Sequence, residues 1–183
     1  LTPEEERDYK QNAIVPALKY LGTQEVAMII HGTSFPEVNM DIGVGSPYGK
    51  AAAQLMPFEI LHGFNSNQLG PVGVIRDPQH ISPYKSTVST RNYLFIDFNE
   101  LSTDEYANIL PKDVIESVFA KKFPSDNNYS YSNFPEAFAN YDYCIKIASK
   151  NFRKKLKEGD PAAVRLNEEY NKFKDEKGDV VYK

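Results

Sequence analysis

Gln68-Leu69-Gly70-Pro71-Val72-Gly73, then Ser82-Pro83-Tyr84-Lys85-Ser86 nine residues further on, then Asn92-Tyr93-Leu94-Phe95-Ile96-Asp97, decide how this chain is read. The order is a strand, a polar loop and an apolar landing segment. Upstream, Glu25 to His31 is a short apolar run bounded by Gly22 and Gly32, which suits a buried parallel strand. Ser66 to Val72 supplies a second strand, and Tyr93 to Phe98 a third, strand-like apolar run. Between the first two lie a Gly- and Pro-rich loop, 32–49, and a helical pattern from Lys50 to Leu61 that Pro57 interrupts. Strand, helix, strand is the usual way to connect parallel neighbours.

The flanks are helical. Thr2 and Glu5 make a capping box with Pro3 at the first helical position. Ile14, Val15, Leu18 and Leu21 continue an amphipathic helix that Pro16 kinks or divides and Gly22 ends. Beyond Phe98 a short helix spans Pro111 to Lys121, and a polar loop runs from Phe123 to Asn133. The clearest helix follows: Ser132 caps it, and Phe134, Phe138, Tyr141, Ile145, Ala148, Phe152 and Leu156 recur at steps of three and four. Gly159 stops it, and Asp160-Pro161 opens a last helix with Leu166, Tyr170 and Phe173 on one face. The expected organisation is an α/β region over 1–98 with a helical extension over 99–183 packed on it as one structural unit.

Composition sets outer limits. The chain has 183 residues, 41% hydrophobic and 25% charged, which fits a globular sequence. Twelve Tyr and eleven Phe, with no Trp, suit either a core or stacking on sugar faces. The net charge of −4, with signs mixed, gives no electrostatic footprint for nucleic acid. The one basic cluster, Arg153-Lys154-Lys155-Leu156-Lys157, sits where a helix ends, and cations there suit its dipole. No apolar run reaches the ~20 residues that cross a bilayer. The single cysteine, Cys144, excludes an internal disulfide and fits a reducing compartment, so the expected location is cytoplasmic. The sequon Asn128-Tyr129-Ser130 carries little weight without a secretory context.

Several motifs fail on inspection. In Gly43-Val44-Gly45-Ser46-Pro47-Tyr48-Gly49-Lys50, a phosphate loop would need Gly at Val44 and a hydroxyl at Ala51. His31, His62 and His80 lack zinc-site spacing, so no metal and no cofactor is expected. Cys144 borders the apolar seam of a strong helix and reads as a packed thiol. Carboxylates near the loops are Asp41, Asp77 and Asp97; turn closure accounts for the first two, and the third ends an apolar run.

These segments resemble the 4-α-glucanotransferases (amylomaltases) of glycoside hydrolase family 77. Their first-strand loop His-Pro-Thr-Ser-Leu-Pro is similar to His31-Gly32-Thr33-Ser34-Phe35-Pro36, and its Gly-x-Gly to Gly43-Val44-Gly45. Their second strand and Asp-Ser-Pro-Tyr-Gln-Ser loop are similar to Asn67 to Gly73 and to Ile81-Ser82-Pro83-Tyr84-Lys85-Ser86, and their Asn-Pro-Tyr-Leu-Ile-Asp to Asn92 to Asp97. Asn67 replaces an aromatic, Lys85 replaces Gln, and the Pro after Asn92 is missing. The resemblance implies the opening of a (β/α)8 barrel, two to three strands long, with a mostly helical extension. It implies an α-1,4-glucan or maltooligosaccharide ligand at His31, Ser34, Tyr48, Ser82, Tyr84 and Asn92. The family's catalytic carboxylates stand on later strands and have no match here, and a whole barrel takes about 250 residues. Glycosyl transfer therefore requires completion by a partner or a continuation. The alternative is a non-catalytic glucan-binding or protein-interaction module, and an incomplete barrel predicts a protein partner or self-association over its open faces.

Overall fold

The computed structural model describes residues 2–35, 41–85, 91–120 and 132–181. Pro36, Ser86, Lys121, the sequon at 128–130 and nearly all of the polar loop before Asn133 lie outside them. The described chain is mixed α/β, mostly helical, with one two-stranded parallel sheet.

Helix α1 (Pro3–Tyr9) begins with the expected capping box: the Thr2 hydroxyl accepts from the Glu5 amide, and Glu5 accepts from the Thr2 amide. The backbone stays helical through Pro16, so the proline does not divide the segment. A π-helical turn, Lys10–Ile14, separates α1 from α2 (Val15–Leu21), and Pro16 follows directly after this widened turn, where the regular hydrogen-bond ladder is already altered. Gly22, at φ 69°, closes α2.

Strand β1 (Ala27–Ile29) and strand β2 (Ser66–Gln68) pair in parallel, Ala27 with Ser66 and Ile29 with Gln68. Helix α3 (Lys50–Leu61) connects them and passes through Pro57 unbroken. Ala53, whose carbonyl the proline leaves without its helical partner, is exposed to water. Glu59, on the buried side of α3, accepts a hydrogen bond from Asn67 Nδ2 at 2.7 Å and so ties helix to strand.

Three expectations need correction. The strands are shorter than 25–31 and 66–72, and β1 is not buried: Ile29 is 78% exposed. Apolar residues of α2 and α3, among them Leu21, Phe58 and Ile60, are exposed too. Tyr93 to Phe98 is not a third strand. Asn92 caps a 3-10 turn, Tyr93–Phe95, because its side-chain oxygen accepts the Leu94 amide at 3.1 Å and turns the chain out of extension. Ser132 does not cap the long helix; Asn133 does, accepting from the Glu136 amide, while the Ser132 hydroxyl donates to the Thr33 carbonyl.

The core lies away from the sheet. Ile42, Val44, Leu94 and Phe98 pack with Leu110, with α4 (Lys112–Ala120) through Val118 and Phe119, and with α5 (Phe134–Lys157) through Ala137, Cys144 and Ala148. Residues on both sides of position 98 fill it. Tyr93 meets Phe138 and Tyr141, and Phe98 meets Tyr141, so the landing segment docks on α5 through aromatic contacts. Gly159 ends α5 at φ 75°, and Asp160 caps α6 (Pro161–Val181) by accepting the Ala162 and Ala163 amides.

Cys144 is buried in this core, and burial pushes its thiol up from 9.0 to about 11. A raised acid favours the folded state below the unfolded value and ceases to as pH passes the folded one. Stability is thus expected to fall as pH rises from about 9 toward about 11. A maleimide reagent at neutral pH should label Cys144 only after denaturation; rapid labelling of the folded chain would contradict the packing.

Candidate functional site

Both strands run the same way, so the loops that follow them leave one end of the sheet. After β1, His31 is extended and caps a 3-10 turn, Gly32–Ser34; its Nδ1 lies 3.0 Å from the Thr33 hydroxyl. Ser34 is exposed, and its amide donates to the His31 carbonyl at 2.8 Å. After β2, Gly70 takes φ 69° and brings the chain alongside the His31 ring. The Asn92 amide then donates to the Val72 carbonyl at 2.8 Å, which anchors the landing segment to the strand's continuation.

Phe95 is the hub of this region. It is buried, and its ring presses on Gly32 so closely that a Cβ there would lie 2.9 Å away. The buried Ser46 hydroxyl donates to the Phe95 carbonyl at 2.7 Å and accepts from the Tyr48 amide at 3.1 Å. Tyr48 packs edge-on to Phe95 with ring centres 6.1 Å apart, yet stays half exposed. The structure thus brings Gly32, Tyr48 and Asn92 together around Phe95, whose amide donates to the Asn92 carbonyl at 3.1 Å, with His31 next to Gly32 in the chain. Asn92 is buried, so its part is to shape the turn. Ser82 and Tyr84 sit on a separate 3-10 turn, Pro83–Lys85, where Tyr84 is 79% exposed.

Neither glycine of Gly43-Val44-Gly45 serves a phosphate. The Gly43 carbonyl accepts the Asn133 amide at 2.8 Å, and a Cβ on Gly43 would meet α5 backbone at the same distance. Gly45 passes the Phe35 carbonyl so closely that a Cβ would lie 1.8 Å from its oxygen. Asn140 Nδ2 donates to the Ile42 carbonyl and holds the turn to α5. The Ser46–Phe95 and Asn140–Ile42 bonds had no sequence signal, since they span 49 and 98 positions.

The carboxylates are tied into turns. Asp41 accepts from the Gly43 amide, and Asp97 accepts from the Asn99 amide and side chain. Both line a recess of about 10 Å³ walled by Val44, Leu94 and Phe119. That volume holds roughly one water and no sugar ring. Asp77 binds His80 Nδ1 at 2.9 and 3.0 Å and accepts the Gln79 and His80 amides. The His80 hydrogen bond holds the Asp77 carboxyl below its ordinary 3.8, with backbone donors assisting against desolvation. A depressed carboxylate adds stability above its unfolded value and loses it as pH falls through the folded one. His80→Ala should move the Asp77 titration back toward 3.8 in a carboxyl NMR titration; an unchanged midpoint would refute the pairing.

Among the described residues, no group of three or more His, Cys, Asp or Glu converges to hold a metal, and no helix is long and apolar enough to cross a membrane. No protein-family model, curated protein or solved structure matches the chain.

Proposed function

We propose that this chain is an α-1,4-glucan-binding unit with the organisation of the opening of an amylomaltase-type barrel, acting in the cytoplasm. The supporting observation is the β1–α3–β2 unit, whose parallel strands send the His31–Ser34 loop and the Ser82–Tyr84 segment from their C-terminal ends. Parallel α/β proteins bind ligands at that end of their strands. Tyr48 and Tyr84 offer exposed aromatic faces for sugar rings, and His31, Ser34 and Ser82 offer polar partners.

Glycosyl transfer needs two carboxyl groups across a substrate-sized gap, about 5–5.5 Å apart for retention. Asp41, Asp77 and Asp97 are engaged by their own turns, so this chain's role is on the substrate side. Catalysis would require carboxylates from another polypeptide or a continuation. A completing partner has a second support. Parallel sheets are normally covered on both faces, whereas β1 is exposed here, with Ile29 at 78%. The non-catalytic alternative draws on the same exposed strand and on the turn-bound aspartates.

Calorimetric titration with maltoheptaose tests the glucan reading. Saturable heat is expected from the wild-type chain and at least a tenfold loss from Tyr84→Ala, since one sugar-stacking ring contributes about 1–2 kcal/mol. Tyr84 is exposed, so its removal should leave stability unchanged. No heat at millimolar sugar would refute glucan binding and leave the interaction-module alternative.

A further inference from the structure

The apolar residues of α6 follow a seven-residue repeat. Ala163, Leu166, Tyr170 and Phe173 alternate at steps of three and four, and Lys177 and Val180 continue the series. The seam begins inside the body, where Ala163 is fully buried and Leu166 half-buried. Farther along, every residue from 168 to 177 is exposed, with Tyr170 at 49% and Phe173 at 47%. The apolar stripe therefore continues along a stretch of helix whose residues are all exposed to water.

The charges beside the stripe select what fits it. Glu169 and Glu176 flank one side, and Asn167 and Lys174 the other. In a parallel helix pair, a residue just before a seam position meets the residue five places later on the facing helix. Glu169 would meet Lys174 in both directions, and Lys177 would reach Glu176 by extending along its stem. In an antiparallel pair each flank meets its own kind, Glu facing Glu and Lys facing Lys, which repel. Glu169 also takes an Arg165 nitrogen at 3.1 Å within its own helix, and a carboxylate has oxygens enough for both.

We propose that α6 is a self-association helix that pairs in parallel with α6 of a second copy. This does not depend on the glucan reading. Sedimentation of the full chain across micromolar to submillimolar concentration should show a reversible dimer. Lys174→Glu sets Glu against Glu169 twice and should weaken it about tenfold. An equimolar mixture of Lys174→Glu and Glu169→Lys should recover association. Both positions are exposed, so circular dichroism should show unchanged helix content. Lys177→Cys and, in a separate variant, Tyr170→Cys should each form a disulfide between copies on oxidation, because a parallel register brings every seam position against itself, whereas an antiparallel pair does so at one crossing point only. A chain monomeric throughout overturns the proposal. So does a dimer that ignores Lys174→Glu and does not cross-link at both 170 and 177.

Discussion

Phe95→Ala is expected to cost about 3–5 kcal/mol, the usual range for truncating a buried phenylalanine. For a chain of this length that is a drop in melting temperature of roughly 10 °C or more. The ring is 3% exposed and fills the space between Gly32 and Tyr48. Its loss leaves a void where the loop after β1 meets the landing segment, so Tyr48 loses its edge-on support. Differential scanning calorimetry measures the first effect, and weaker maltoheptaose binding the second. A variant that melts like wild type would show that these loops are not packed on Phe95. A destabilised variant that binds sugar normally would detach the ligand from the cluster.

Gly45→Ala should be nearly as damaging, at about 3 kcal/mol or more, by a different route. The added Cβ would stand 1.8 Å from the Phe35 carbonyl oxygen, a backbone atom that cannot rotate away. The two loop segments must separate, which endangers the 3.1 Å bond from the Gly45 amide to the Thr33 carbonyl. Gly159→Ala is the control. That glycine sits at φ 75° with nothing within 4 Å of an added Cβ, so only left-handed backbone strain remains, about 1 kcal/mol. Chemical denaturation of both variants should separate them clearly. Equal costs would mean the close approach at Gly45 is relieved by loop movement.

The helices were the most legible part of the chain because their signals are local. The Thr2–Glu5 box, Gly22, Gly159 and the spacing from Phe134 to Leu156 each act within a few residues. Asn133 displaced Ser132 as the cap, a shift of one position between two residues with the same capping chemistry. The Tyr93–Phe98 run suits a strand because buried turns and buried strands are equally apolar; the Asn92 side chain decides for the turn. The apolar composition of β1 suggests burial, but burial depends on what covers a strand, and among the described residues Ile29 is 78% exposed. At the site, turn closure by Asp41 and Asp77 was legible from residue type. The convergence of Gly32, Ser46 and Tyr48 on Phe95 was not, because it joins segments some 50 residues apart and leaves no periodic trace.

On the proposed reading, the loops leaving β1 and β2 bind sugar together. Amide chemical-shift mapping with maltoheptaose reads that surface residue by residue. Saturable shifts are expected at His31–Ser34, Tyr48, Ser82–Lys85 and the turn after Asn92, and nowhere else. Silence at those amides, or shifts confined to α5 and α6, would contradict that reading.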